Sequence, residues 1–172
     1  MKNYFYFLVK SLLIVSLIFA VGCDKDDDDD GSGNNTTIKD PEGAITGNIS
    51  SNPNVSITIV PEGAGGFYIG WTGPSNFSLG CYNLYDSGEI FIYDAGKVRG
   101  LGDITKIPTS GFSTRPGNSI ACEVGHGYII KYTSGRMTAP VYYVRLYVVE
   151  DIVNTSGGIF GTKVKYQHPF EP

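Results

Sequence analysis

The segment VYYVRLYVVEDIVNTSGGIFGTKVKY, residues 141–166, decides the fold of this 172-residue chain. Its first half alternates between two faces, as a β-strand does; one face holds Tyr142, Val144, Leu146 and Val148, and the other holds Tyr143, Arg145 and Tyr147. Residues 155–158, Thr-Ser-Gly-Gly, have the composition of a hairpin turn. In the returning segment the inward positions are Val164 and Tyr166, and the outward ones are Lys163, Lys165 and Gln167. The segment therefore predicts an antiparallel hairpin.

The residues before this hairpin also have the pattern of short strands separated by turns. From Pro41 onward no stretch of ten or more residues keeps the 3.6-residue period of a helix. The predicted strands are residues 44–50, 55–60, 67–72, 77–85, 89–93, 97–101, 119–124 and 127–133. Residues 94–96 are predicted to be a turn, and residues 103–118 are predicted to be mostly irregular surface. Residues 89–93, apolar on both faces after Glu89, are predicted to be a central strand. Roughly nine or ten such strands predict one all-β domain, either an antiparallel β-sandwich or a small barrel.

The N-terminal region has the parts of a secretory signal. Lys2 and Lys10 supply positive charge, residues 11–21 are apolar apart from two serines, and Gly22 stands immediately before Cys23. A retained membrane-spanning helix is the alternative, but Lys10 leaves the apolar run shorter than the ~18 residues that a span usually needs. We therefore predict a signal peptide at residues 1–22.

Residues 23–40 are predicted to form a flexible tether. The segment consists mainly of Asp, Gly, Ser, Asn and Thr, which cannot bury a core. A calcium site in its aspartate run is disfavoured, because no glycine turn or later glutamate stands at loop spacing. The folded domain is then residues 41–172, which is close to neutral because the net charge of −4 is concentrated in the tether. No concentration of basic residues indicates a nucleic-acid partner.

Small residues before a cysteine at the end of a short apolar run resemble the lipobox of bacterial lipoproteins, although Ala20 stands where leucine is commoner. The resemblance implies cleavage before Cys23 and a lipid such as palmitate on its sulfur. The residues that follow resemble the export signal of surface lipoproteins in Bacteroidota; they are Asp24, Lys25, Asp26, Asp27 and Asp28. That resemblance implies display on the outer face of the outer membrane. The alternative is a solvated spacer, since a block of like charge does not pack.

The C-terminal half also resembles small uncharacterised lipoproteins of Bacteroidota. The resemblance covers residues 97 to about 170, through the stretches GLGDITKIPTSGF, GHGY, RLYVV and TSGGIFGTKVKYQ. These motifs are rich in glycine and strand-forming residues. They imply no activity and no functional residue.

Two cysteines fall within the predicted domain. Cys81 and Cys122 are a candidate disulfide, as an even pair in an exported domain often is. The alternative is two buried thiols, because free cysteine packs as a small apolar residue.

Catalytic and metal motifs are weak in this sequence. Cys122 and His126 lie four residues apart and suggest a nucleophile with its base, but this spacing on a strand does not bring them together. Glu150 and Asp151 are adjacent, so a strand sends them to opposite faces. His126 and His168 have no carboxylate or thiol at ligand spacing. We therefore predict no catalytic residue, no metal and no cofactor.

Aromatic residues crowd into residues 67–85 beside glycine, serine and asparagine. Exposed aromatic rings with amides and hydroxyls around them can stack on sugars or bind a partner protein. The candidate ligand-binding residues are Trp71, Tyr68, Tyr82 and Tyr85. The alternative is that these rings form the core, which the position of Ile69 beside Trp71 on one strand face favours.

These observations predict a cell-surface lipoprotein with a non-catalytic binding domain for glycan or protein ligands. A second hypothesis is a structural subunit of a surface assembly that docks through Tyr143, Tyr147 and Val149. The third is a small hydrolase that uses Cys122 and His126.

Overall fold

The computed structural model describes residues 38–61, 66–74, 76–81, 88–113, 120–133 and 140–172. Residues 37–172 belong to one compact unit. The predicted signal peptide, Cys23 with its acidic export signal, and the candidate residues Tyr82 and Tyr85 lie outside the described residues. In the described part of the chain, no helix is long and apolar enough to cross a membrane.

The described residues form ten strands in two antiparallel sheets, which confirms the all-β prediction and its sandwich alternative. The strands are β1 (Ile45–Ser51), β2 (Asn54–Val55), β3 (Ile57–Ile59), β4 (Phe67–Gly73), β5 (Asn76–Cys81), β6 (Glu89–Lys97), β7 (Ile120–Ala121), β8 (His126–Thr133), β9 (Val141–Val153) and β10 (Ile159–Gln167). The larger sheet has the order β2-β1-β10-β9-β8-β6, and the smaller sheet has the order β3-β4-β5-β7. The chain passes from the larger to the smaller sheet at Ser56, between β2 and β3.

The hairpin of β9 and β10 has the predicted faces, and its bounds agree except that β10 ends at Gln167, one residue later than predicted. Val144, Leu146 and Val148 are fully buried on one side of β9. In the turn, the Asn154 side-chain oxygen accepts hydrogen bonds from the backbone nitrogens of Ser156 and Gly158, at 3.1 and 2.8 Å. Gly157 takes the left-handed conformation, φ +82°, that a glycine adopts without steric cost.

The inner core lies between the two sheets. The larger sheet contributes Ile49, Ile90, Ile92, Tyr128, Ile130, Tyr132, Val144, Leu146, Val148 and Val164. The smaller sheet contributes Ile57, Ile59, Phe67, Ile69 and Phe77. The alternating apolar positions seen in the sequence account for this, because a strand points successive side chains to opposite faces.

A second group of buried residues covers the other face of the larger sheet. This outer cluster consists of Leu101, Ile104, Ile129 and Phe170, and it packs against half-buried residues that include Phe112, Tyr143 and Tyr147. Arg145 ties it to the sheet, because its guanidinium donates to the Ile104 carbonyl at 2.6 Å and lies 4.7 Å from the centre of the Phe170 ring. The described residues 104–112 are irregular, as predicted, and mostly not buried, but Ile104 is buried and Ile107 and Phe112 pack against the outer cluster.

Strand β6 differs from its prediction in two ways. Residues 94–96 form a bulge inside one strand rather than a turn between two, with Gly96 at φ +75° and its nitrogen bonded to the Asp94 carboxylate at 2.7 Å. The predicted strand at residues 97–101 is therefore absent, because β6 ends at Lys97 and a short 3₁₀ helix begins at Leu101 and ends at Asp103. Strand β6 is also at the edge of the larger sheet rather than at its centre. Its second apolar face is covered by the outer cluster, where Tyr93 packs on Phe112.

The domain makes contacts that begin before Pro41. Asp40 accepts an ion-paired hydrogen bond from Lys165 Nζ at 2.6 Å. Ile38 lies so close to Gly102 that a Cβ built there would be 2.8 Å from the Ile38 Cγ2. The last three residues assigned to the tether thus lie against the sandwich.

Candidate functional site

A polar groove of about 370 Å³ opens on the smaller sheet. Its lining comes from the β2–β3 crossover and from β4 and β5; it consists of Asn54, Ser56, Tyr68, Gly70, Trp71 and Ser78. The volume lies within the range of about 300–1,000 Å³ that is usual for small-ligand sites. We call this feature the Tyr68 groove.

Gly70 allows the Ser78 hydroxyl to lie close to the β4 backbone in the Tyr68 groove. Gly70 pairs with Ser78 on the neighbouring strand. A Cβ at position 70 would lie 2.8 Å from the Ser78 Oγ and 3.6 Å from the nearest carbon of the Tyr68 ring. The missing side chain therefore leaves room for the Ser78 hydroxyl beside the Tyr68 ring.

Trp71 takes part in both of the arrangements that the sequence left open. It is half-buried and packs against the inner core, and it also lines the Tyr68 groove. The register shifts between Trp71 and Gly73, so this end of β4 departs from regular strand geometry. A bulge of this kind re-aims a side chain relative to simple alternation.

The groove presents aromatic surface and neutral polar groups together. Tyr68 and Trp71 contribute rings, while Asn54 contributes an amide and the two serines contribute hydroxyls. None of the described lining residues carries a charge. Such a surface can stack on an apolar ring face and exchange hydrogen bonds with hydroxyl groups around that ring.

Part of this site was predicted from the sequence. Tyr68 and Trp71 were candidates and lie together in the groove, whereas Asn54, Ser56 and Ser78 were missed. In residues 55–60, Ser56 and Thr58 alternate with Val55, Ile57 and Ile59, and this alternation was the available signal that Ser56 faces solvent. Ser78 becomes a neighbour of Gly70 only through the β4–β5 register.

Cys122 is a free thiol, 2% exposed, at the edge of the inner core. Burial, with a smaller contribution from the charge of Asp151, raises the pKa of Cys122 to about 12. The thiol is therefore protonated and poorly nucleophilic at neutral pH. This arrangement corresponds to the buried-thiol alternative rather than to a disulfide at Cys122; the side chain of Cys81 lies outside the described residues.

His126 does not pair with Cys122. Its Nδ1 lies 3.3 Å from Asp94 Oδ1, and its Nε2 lies 3.3 Å from Glu123 Oε2. Both ring nitrogens thus face carboxylates, and the geometry gives the hydrolase hypothesis no nucleophile–base contact. Over the described ranges, no group of three or more His, Cys, Asp or Glu residues is placed to hold a metal ion.

The face proposed for docking in a surface assembly is largely covered. Tyr143 and Tyr147 are half-buried against the outer cluster. The backbone nitrogen of Phe170 also donates to the Tyr143 carbonyl at 2.9 Å. This chain's own residues therefore cover part of the surface that the second hypothesis assigned to a partner, and Val149 is half-buried as well.

No protein family, curated protein or solved structure matches this chain in the comparisons made. Its function is therefore argued from the geometry of its own residues.

Proposed function

We propose that this chain is a lipid-anchored protein of the bacterial cell surface whose β-sandwich binds glycans in the Tyr68 groove. The observation that carries the proposal is the groove itself, where Tyr68 and Trp71 stand beside an amide and two hydroxyls. A sugar ring has a weakly polar face of C–H groups and a rim of hydroxyls. The rings of the groove suit the face, and its amide and serines suit the rim.

The neutral lining favours sugars without charge. Binding a carboxylate or sulfate in a site without a cation leaves the anion without a partner as it loses water, which is unfavourable. Neutral hexose polymers are therefore the ligands that fit the groove best.

The binding experiment uses the chain from residue 23 onward with Cys23→Ser, which keeps every described residue. Trp71 is the only tryptophan in the sequence, so its emission reports directly on the groove. Titration with neutral, acidic and N-acetylated oligosaccharides is expected to shift the emission with a neutral glycan. Tyr68→Ala is expected to weaken that binding at least about tenfold, which corresponds to about 1.4 kcal/mol, because the stacking ring is lost.

Two variants serve as controls for this titration. Tyr68→Phe keeps the ring, so most of the affinity should remain. Gly70→Ala should reduce affinity by displacing the Ser78 hydroxyl from the groove, and it should fold because that hydroxyl can rotate away. An emission that no glycan changes would contradict the proposal and direct the search to protein ligands.

The proposed anchor is a lipid on Cys23. Each buried methylene contributes about 0.8 kcal/mol, so more than one acyl chain holds a protein stably on a membrane. Cells expressing the full chain with labelled palmitate should yield labelled protein in the membrane fraction. Cys23→Ser should lose the label and leave that fraction, whereas Cys81→Ser should keep both. Retention of unlabelled Cys23→Ser in the membrane would instead support a spanning signal anchor.

A further inference from the structure

A second cleft is formed in part by the C-terminal residues of the domain. It has a volume of about 610 Å³ and lies between the start of β9 and the C-terminal residues 168–172. The hydrogen bond from the Phe170 nitrogen to the Tyr143 carbonyl holds these two segments together at 2.9 Å. We call this feature the C-terminal cleft, and its volume suits a small molecule.

The walls of the C-terminal cleft are mainly apolar and aromatic. They include Tyr142, Tyr143, Phe170, Pro140 and Ile107. One carboxylate, that of Glu171, belongs to an exposed residue of the lining. Proline and aromatic side chains have few rotamers to lose, so such walls bind flat apolar molecules at a small entropic cost.

His168 supplies an unsatisfied polar atom in this cleft. Its Nε2 is buried and has no hydrogen-bond partner. Burial also lowers the pKa of His168, so the imidazole is neutral at pH 7. A neutral imidazole nitrogen either donates or accepts one hydrogen bond, and a buried polar group without a partner is unfavourable.

We propose that the C-terminal cleft binds small, flat, largely apolar compounds that carry a hydroxyl group, such as phenols and aromatic alcohols. The apolar body of the compound lies against the tyrosine and proline walls. Its hydroxyl bonds to His168 Nε2, and because a hydroxyl both donates and accepts, it satisfies this atom in either tautomer. Because Nε2 is shielded in this structure, the side chains around His168 must rearrange to admit the hydroxyl.

The test compares phenol with toluene, which has a similar shape but no hydroxyl. The chain has two histidines, so imidazole ¹⁵N signals of the Cys23→Ser chain from residue 23 report on both. Phenol is expected to shift the His168 signals and to leave those of His126 unchanged. It should also bind about tenfold more tightly than toluene, as expected for one hydrogen bond made to a buried group.

Two variants separate the hydrogen bond from apolar contact. His168→Phe keeps the flat ring, and the preference for phenol should fall below about twofold in that variant. His126→Phe should bind phenol as the parent does. Equal affinity for phenol and toluene, or His168 signals that phenol does not move up to its solubility limit, would overturn the proposal. The measurement on the parent chain decides this even if His168→Phe does not fold. It is independent of glycan binding, which uses the other sheet.

Discussion

Replacing Phe67 with alanine is expected to lower the free energy of unfolding by about 3–5 kcal/mol. Phe67 is fully buried in the smaller sheet, and its ring centre lies 5.2 Å from that of Tyr132 in the larger sheet. The ring therefore fills space between two rigid sheets, which cannot close fully around an alanine. The loss combines the transfer of the ring with the cost of the remaining cavity.

Urea unfolding followed by circular dichroism measures this effect, with Phe91→Ala as the matched control. Phe91 is half-buried on edge strand β6, where Lys131 Nζ lies 5.3 Å from its ring centre. Its truncation should cost less than about 2 kcal/mol, because water can enter the space that the ring leaves. If Phe91→Ala lowered the free energy of unfolding as much as Phe67→Ala or more, the placement of Phe67 in the inner core would be contradicted.

The layered arrangement explains why the candidate groove lies on the smaller sheet. One face of the larger sheet is covered by the smaller sheet, and the other is covered by the outer cluster. The smaller sheet uses one face for the inner core. Its other face carries Tyr68 and Ser78, the side chains that line the groove. A rigid sheet supported from behind is a suitable platform for a binding site, because its side chains are positioned before the ligand arrives.

Alternation in the sequence predicted the strands whose two faces differ. β9 and β10 were the clearest case, because one face of the hairpin is filled by Val144, Leu146 and Val148. A one-residue slip would exchange buried and outward positions along the whole strand, so the pattern specifies the register strongly. The same argument placed Val55, Ile57 and Ile59 on one buried face. It is correct for Ile57 and Ile59 and wrong for the exposed Val55, because the chain joins the other sheet after Ser56.

The predictions of local structure fail where the same short sequence pattern is compatible with two different structures. Asp94-Ala95-Gly96 is typical of a turn, yet an aspartate followed by a glycine at positive φ also forms a bulge. Residues 101–112 have the prolines and glycines of a surface loop. Only long-range contacts, such as the bond from Arg145 to the Ile104 carbonyl, bury part of that segment. Local composition carries no information on such contacts.

The candidate site was predictable to the extent that it is local. Tyr68 and Trp71 were found because aromatic residues cluster along one segment. Asn54 and Ser78 reach the groove from other segments through strand pairing, and pairing between distant strands follows from the whole fold. The sequence also could not predict that His168 Nε2 is buried without a hydrogen-bond partner, because this burial depends on which residues pack against His168 in the fold.

Gly161 marks the closest approach between β10 and β1. It pairs with Ser50 and follows an irregularity in the β9–β10 register. A Cβ built on Gly161 would lie 2.6 Å from the Ile49 carbonyl oxygen and 2.6 Å from the Ser50 Cβ. Neither atom belongs to the end of a long side chain that could swing away. Relief therefore requires β1 to move away from β10, which disturbs the buried Ile49.

Gly161→Ala is accordingly expected to lower the free energy of unfolding by about 3 kcal/mol or more, at or beyond the upper end of the usual cost of overpacking. Gly47→Ala is the matched control, since Gly47 lies on β1 and also faces β10. Its nearest atoms would be the Ile57 Cδ1 at 3.3 Å and the Tyr166 Cε1 at 3.4 Å, both in side chains that can yield. The control should lose less than about 1 kcal/mol in the same urea experiment. A Gly161→Ala chain as stable as the parent would mean that β1 and β10 are farther apart than this structure has them.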